Sequence, residues 1–506
     1  MVKQKQSQHQ QQMVGNKNLI TALYTISILC GAGLMGLEII GGRILSPFFG
    51  TSVYVWGSII SVFLIALSAG YYFGGLLADK KPSLNYLAGL SAIAGLLILI
   101  IPPAVEPLSQ MAINAGLSIY GTLIVAIGLF FLPSLALGMV SPYVVKLGVI
   151  ETQRLGNQVG KFYSVSTFGS ILGTLATTFI LIPVFGVREI LYALGVMLVL
   201  LAVVTFLYSK VYLRSALTVV VAVAVGWSSW LYSPIESYLA EGSEVLYKKE
   251  TLYNNLAVVD RGADRFLLFN STQQTGMNKN RPNEHFWPYT KVMEAAADHY
   301  HPEAKDWLLI GLGGGTIPKS LLAQDRQMSF DAVEIDPTVI DIAHQYFGLP
   351  KDSRVNAVAT DGRMFVQQHK GKYDVIMVDA YNLLYIPFHL STQEFFQELQ
   401  AALKPGGVVI FNVVSSLEGP KSQFFKSLMK TAAEVFPQRR IFRAENQPET
   451  VVDNLILVAS QSTLDSPGEL AGSPEYTGTV DTSASPILTD DHAPVEALAA
   501  EMMADF

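Results

Sequence analysis

Two hydrophobic rhythms divide this chain. Up to about residue 232, apolar residues run in blocks long enough to cross a bilayer, which takes ~20 residues per helix. The blocks fall at 19–41, 53–78, 85–105, 121–147, 161–183, 189–208 and 214–232, and they predict seven membrane-spanning helices. Beyond them the apolar runs shorten to strand length. Residues 244–281 read as β-structure, with strands over 244–260 and 265–270 and a turn at Arg261-Gly262-Ala263-Asp264. A helical pattern follows at 289–299, and then strands at 307–310, 330–335, 354–359, 373–378 and 408–414 alternate with helical segments. That alternation predicts a doubly wound, mostly parallel sheet. Residues 461–486, rich in Ser, Pro, Gly and Thr, predict a surface loop.

The domain reading is a polar tail at 1–18, a membrane domain at 19–232, a small β subdomain at 233–285 and a Rossmann-like, nucleoside-binding domain at 286–506. The tail is Gln-rich and lacks an apolar core with a cleavage site, so it reads as a tail and not as a signal peptide, and the first span stays as an anchor.

Composition sharpens the picture. Hydrophobic residues make up 50% of 506, and the mean hydropathy is +0.36. A net charge of −7 without a basic block outside the membrane loops argues against nucleic acid as a partner. The single cysteine, Cys30, excludes an intramolecular disulfide and a cysteine-cluster metal site, and no metal is expected. Counted over alternate loops, ten Lys and Arg lie on the side of the tail, among them Lys3, Lys5, Lys80, Lys81, Lys146 and Lys210. Only Arg43 and Arg188 lie on the other. The N-terminus is thereby placed in the cytoplasm and the chain in the inner cell membrane, crossing it several times. Seven crossings then place the C-terminal half outside, in conflict with a nucleoside cosubstrate made in the cytosol. Glu38, Arg43 and Asp79 sit near helix ends, where side chains reach the interface. Gly169, Gly173 and Ala176 form a small-residue series suited to close helix packing.

The candidate chemistry lies at strand ends, where ligands of doubly wound sheets bind. Gly311-Leu312-Gly313-Gly314-Gly315 follows the strand at 307–310, and glycines let the backbone turn sharply and approach a ligand. Thr316 occupies the third glycine position of the dinucleotide fingerprint, which disfavours NAD. Glu334 ends the next strand, where a carboxylate accepts hydrogen bonds from a ribose diol. Asp361 ends the third, placed to accept from an adenine amino group, and Gly362 leaves room for the ring. Asp379 ends the fourth, where an acid orients an amine and takes its proton. Asp490-Asp491, ahead of Pro494, read either as a helix cap or as lining for the site.

Together these stretches resemble the spermidine synthases, the polyamine aminopropyltransferases. The resemblance rests on Gly311 to Gly315, Val333-Glu334-Ile335-Asp336-Pro337, Asp361-Gly362-Arg363 and Tyr373-Asp374-Val375-Ile376-Met377-Val378-Asp379, with Leu267 to Thr275 upstream. It covers roughly residues 244–460, and the membrane half is similar to the multi-span region fused to such domains in bacteria. The resemblance implies a methyltransferase-like α/β fold and aminopropyl transfer from decarboxylated S-adenosylmethionine to putrescine or a related amine. The donor is a cosubstrate; no permanently bound cofactor is implied. By position, Gln274, Gly311, Gly313, Gly315, Glu334, Asp361 and Gly362 would hold the nucleoside. Asp379 would be the catalytic base, and Tyr289 and Asn382 would meet the amine. Domains of this type often pair with themselves, which implies a homodimer.

The chain also departs from the family. Gly314 stands where the family's glycine loop carries an acid for the donor's amine. Asn382 replaces the second acid of Asp-x-x-Asp-Pro, and Tyr289-Thr290 replaces a Tyr-His pair. Such a change removes a charge-assisted interaction, on the order of 1.5–3 kcal/mol per bond. The nucleoside end is therefore kept while the amine end is altered. Two other functions stay open: an S-adenosylmethionine-dependent methyltransferase, and a transporter or sensor whose soluble domain binds a nucleoside or polyamine. Leu309, where methyltransferases often carry an acid, favours aminopropyl transfer over the first.

Overall fold

The computed structural model describes residues 17–49, 53–149, 155–231, 242–270, 272–381 and 386–503. Most of the polar tail and Asn382 lie outside these residues. The chain divides into two compact units, Met1–Tyr238 and Leu239–Phe506.

The first unit is helical: α1 (Lys17–Phe49), α2 (Val53–Lys80), α3 (Leu84–Asn114), α4 (Ser118–Gly138), α5 (Val140–Gly148), α6 (Leu155–Ala176), α7 (Val187–Tyr208) and α8 (Tyr212–Trp230). Counting α4 with α5 as one crossing, and α6 with the π-turn Thr177–Leu181 and its extension to Val184, seven helices among the described residues are long and apolar enough to span a bilayer. They match the seven apolar blocks and exceed some of them by a turn or two; α3 continues nine residues past the predicted end at 105. Gly169 and Gly173 let α6 lie against α1. A Cβ at either would stand 2.3 Å from the carbonyl oxygen of Ile28 or Ala32. Asp79 pairs with Lys146 at 2.6 Å, both largely exposed, as befits a helix-end acid.

The second unit begins with an antiparallel four-stranded sheet, β1 (Glu244–Glu250), β2 (Asn255–Arg261), β3 (Asp264–Phe269) and β4 (Thr272–Asn278). The single strand predicted over 244–260 is two. The Thr251 hydroxyl accepts from the amides of Tyr253 and Asn254, a side-chain turn that a run of Tyr, Leu and Val conceals.

The main sheet has seven strands in the order β10-β11-β9-β8-β5-β6-β7. Its members are β5 (Asp306–Ile310), β6 (Ser329–Glu334), β7 (Val355–Ala359), β8 (Tyr373–Val378), β9 (Leu403–Ser415), β10 (Gln438–Arg443) and β11 (Asp453–Ser460). The first five are parallel; β11 runs antiparallel to β9 and to β10. This is the methyltransferase-like α/β fold, extended beyond β9 by β11 and β10, an antiparallel pair that the sequence reading did not name. Helices α9 (Pro288–Tyr300), α10 (Thr316–Ala323), α11 (Pro337–Tyr346), α12 (Gly362–Gln367), α13 (Gln393–Ala402) and α14 (Gln423–Ala433) cover its faces, and α15 (Val495–Met503) closes the described chain. All six residues of β8 are buried, as a central strand covered on both faces requires. The carboxyl ends of β5, β6 and β8 therefore open at one edge, at the point where the strand order reverses.

Candidate active site

The glycine turn is shaped by its neighbours. Gly311 follows β5 with φ +94°, and a Cβ there would lie 2.2 Å from the Asp379 carbonyl oxygen. Backbone bonds complete the junction: Gly311 N donates to Val333 O at 2.9 Å and Asp379 N to Ile310 O at 2.8 Å. Only glycine combines that φ with that approach. Gly313 and Gly315 also have positive φ. Gly314 does not, and its constraint comes from β4. A Cβ on it would stand 2.5 Å from Thr275 Cγ2, and its amide donates to Thr275 Oγ1 at 2.9 Å. The acid that the resembled family carries here has no room unless Thr275 gives way.

Glu334, at the end of β6, is 7% exposed. It accepts from three backbone amides: Leu312 and Gly313 on one oxygen, at 3.2 and 3.3 Å, and Asp336 on the other, at 3.2 Å. Burial pushes its carboxyl above the ordinary value, and the three amides draw it part of the way back. A carboxylate has about four acceptor sites. Glu334 thus clamps the glycine turn and keeps acceptor capacity beside it. Asp336 caps α11 through Thr338 N at 2.9 Å and accepts from the Thr251 hydroxyl at 2.5 Å, tying the small sheet to the main one.

Asp361 caps α12 through Met364 N at 3.0 Å, and its second oxygen meets His389 Nε2 at 3.0 Å. The His389 bond, against opposing burial, holds its carboxyl below the ordinary range. Gly362 is required by packing: a Cβ would meet Ile310 Cγ2 at 2.4 Å. Arg363 grips Glu398 and Asp490 with two bonds each, at 2.7 to 2.9 Å. Asp490 also accepts from Thr392 Oγ1 at 2.8 Å. Of the two expectations for Asp490, the helix cap fails, because its carboxylate is committed to Arg363 and Thr392. The acid instead anchors the C-terminal segment beside the Asp361 turn.

Asp379, one residue beyond β8, accepts from Tyr289 OH at 3.1 Å and from Asn412 Nδ2 at 2.8 Å. Tyr289 lies in the first turn of α9 and Asn412 near the carboxyl end of β9. Asn412 is 3% exposed, and its own carbonyl oxygen accepts from Asn454 Nδ2 at 2.9 Å. That bond fixes which end of the Asn412 amide faces Asp379. Burial raises the Asp379 carboxyl above its ordinary value, with Asn412 and Tyr289 opposing. Burial and the neighbouring Asp379 carry the Tyr289 phenol well above its own, so Tyr289 stays a donor. The outcome is an acid held as acceptor at the centre of the strand ends.

Gln274 occupies a β-bulge. Leu267 pairs with Thr275 and Leu268 with Gln273, leaving Gln274 without a cross-strand partner. Its amide donates to Thr272 Oγ1 at 2.8 Å. Bulges re-aim side chains, often beside functional sites. Of the predicted set, Gly311, Gly313, Gly315, Glu334, Asp379 and Tyr289 form one connected junction, and Asp361 with Gly362 caps the neighbouring turn. Thr275, His389, Asn412 and Asn454 were missed. Asn412 was discoverable as a polar residue inside the apolar run 408–414; the partners of the others depend on chain contacts far apart in sequence.

Residues 287–448 match the protein family described as "Spermine/spermidine synthase domain". The chain is 31% identical over 297 residues to the "Probable polyamine aminopropyl transferase" of Bifidobacterium longum, covering 53% of this chain and 65% of the relative. It is 32% identical over 182 residues to the "Polyamine aminopropyltransferase" of Vibrio vulnificus, covering 34% of this chain and 60% of that one. It thus spans somewhat under two thirds of either relative's length. Among solved structures, a "probable spermidine synthase" from Corynebacterium glutamicum aligns at 17% identity with a TM-score of 0.44, over 50% of this chain and 98% of its own.

Proposed function

We propose that the unit carrying this spermine/spermidine synthase domain is an aminopropyltransferase, taking its donor group from decarboxylated S-adenosylmethionine and passing it to putrescine or a related amine. The observation that carries this reading is the Asp379 arrangement: a half-buried carboxylate beside the glycine turn, with both oxygens facing donors. The uncharged amine nitrogen forms a bond to the propylamine carbon next to the sulfonium as the carbon–sulfur bond breaks. Sulfur keeps the electron pair and leaves as methylthioadenosine. The proton lost from nitrogen goes to Asp379, whose raised basicity suits the task. Gln274, Glu334 and Asp361 would hold the nucleoside, and Tyr289, bonded to Asp379, and Asn382 would meet the amine. The altered positions Gly314, Asn382 and Thr290 make the amine end the place where this chain differs in substrate preference.

The apolar helices support a chain that crosses the inner membrane several times, with its N-terminus in the cytoplasm. Reporter cysteines placed in the soluble unit, probed with an impermeant thiol reagent, establish its side.

The test is incubation of full-length protein in detergent with labelled decarboxylated or intact S-adenosylmethionine and a panel of amines. Methylthioadenosine release is the expected result. S-adenosylhomocysteine would replace the reading with methyl transfer, and binding without either product would replace it with a sensor or transporter. Asp379→Asn should lower turnover by about 10²- to 10⁴-fold with nucleoside binding retained.

A further inference from the structure

His389 lies on the single turn Phe388–Leu390 between β8 and α13, and it takes no part in the chemistry above. Its Nε2 meets one oxygen of Asp361 at 3.0 Å, while Met364 N donates to the other at 3.0 Å. Capping α12 needs only the second of these bonds. The first holds the remaining oxygen, so the plane of the carboxylate is fixed at both ends. The turn itself is secured by other means. Leu390 N donates to Pro387 O at 2.9 Å and Ser391 N to Phe388 O at 3.0 Å. Leu390 is 4% exposed, and its carbonyl accepts from Tyr381 OH at 2.6 Å. The His389 carbonyl accepts from Arg363 Nη1 at 3.1 Å, and Arg363 is gripped by Glu398 and Asp490. With the backbone anchored on both sides, a contact between an imidazole 31% exposed and a carboxylate 24% exposed adds little to folding. Its effect falls on the aim of Asp361.

An ionised carboxylate only accepts hydrogen bonds, and it has about four acceptor sites. Nε2 of His389 therefore bears a hydrogen, and Asp361 keeps lone pairs for a further donor. The same bond draws the Asp361 carboxyl below its ordinary range, which keeps it in the accepting form. A 6-amino purine brings an N–H to such a group. A 6-oxo purine brings a carbonyl oxygen, and two acceptors repel. A site built around a hydrogen bond rejects the analogue that cannot make it far more strongly than an apolar pocket does. We propose that His389 is a positioning residue that aims Asp361, and that it thereby sets a preference for 6-amino over 6-oxo purine nucleosides. This rests on the reading that Asp361 meets the base of the nucleoside.

The test titrates full-length protein in detergent with methylthioadenosine and with its 6-oxo counterpart, methylthioinosine, by isothermal calorimetry. The wild type should bind methylthioadenosine at least about a hundredfold more tightly. His389→Ala should narrow that ratio by about tenfold, through weaker methylthioadenosine binding, the scale of one hydrogen bond to a charged group. His389→Met, which fills the space without donating, should do the same. His389→Gln, whose amide N–H reaches the same oxygen, should restore most of the ratio. The inference alone is overturned if the wild type binds methylthioadenosine but does not discriminate, if a folded Ala or Met variant keeps the wild-type ratio, or if the Gln variant is no better than they are. Failure of the wild type to bind either nucleoside would overturn the nucleoside reading itself, and this inference with it.

Discussion

Single residues here answer to neighbours as much as to ligands. Asp379 has a raised carboxyl, so its ionisation is harder in the folded chain than in the unfolded one. Its contribution to stability is therefore present at low pH and is lost as pH rises past 3.8 and through the raised value. Asp379→Asn removes that cost, and its amide still suits Tyr289 and Asn412 in turn. The variant should be as stable as the wild type at pH 7, or more so, by thermal melting, while turnover collapses. The same shift sets the rate profile: turnover should climb with pH through the raised value, since only the ionised acid takes a proton. Gly314 offers a second residue-scale test. Gly314→Asp forces a clash with Thr275 and should destabilise by roughly 1–3 kcal/mol. Adding Thr275→Gly should recover part of that, and a double-mutant cycle on denaturant midpoints measures the coupling. Additive effects would mean that Thr275 is not what bars an acid from the turn.

At the scale of elements, the site depends on strands that are remote in sequence. Asn412 on β9 meets Asp379 because β8 and β9 pair in parallel, and Asn454 aims Asn412 because β11 pairs back against β9. Asn412→Leu removes one of the two donors that favour the ionised acid. The acidic limb of the rate profile should move to higher pH, with turnover reduced on the order of tenfold at neutral pH, by the typical strength of a hydrogen bond to a charged group. Asn454→Leu should act in the same direction more weakly. A loss of rate without movement of the limb would assign both residues to folding alone. The β4 bulge works likewise: it sets Gln274 out of register and lets Thr275 reach the glycine turn.

At the scale of the molecule, the small sheet is fastened to the main one by polar contacts that differ in their pH response. Arg265 bonds twice to Asp260 and once to the Tyr346 carbonyl at the end of α11, and Lys279 joins the same acid. Arg265 above all, then Lys279, holds the Asp260 carboxyl down at about 2. A depressed acid stabilises the fold above its ordinary value of 3.8, and that stability is lost as pH falls from there toward 2. Amides of β3 and β4 should lose hydrogen-exchange protection in that window before those of β5 and β8. Arg265→Ala should cost roughly 2 kcal/mol at pH 7 and remove the acid-dependent step. If β4 stays as protected as β8 at pH 2.5, the pairing does not fasten the sheet. The helical unit carries its own prediction. Alkaline carbonate, which strips peripheral proteins, should leave the full chain in the membrane pellet, because about 20 apolar residues per helix bind lipid without any ionic contact.

What the sequence determined is whatever depends on local pattern. Seven apolar blocks mark seven long helices among the described residues, because an apolar run of that length is a local property. Strand-length apolar runs marked β5 to β9, and the acids and glycines at their ends followed. The run 244–260 misled because its turn is made by one threonine hydroxyl, with no glycine or proline to announce it. Strands β10 and β11 were left unnamed because an antiparallel pair added to one side of a sheet depends on pairing. Which backbone amides Glu334 would clamp, why Gly314 excludes an acid, and which amide would aim Asp379 were decided only by the fold. Apart from the Asp336 amide, which is local to Glu334, those are contacts between residues far apart along the chain, created when strand order brings their ends together.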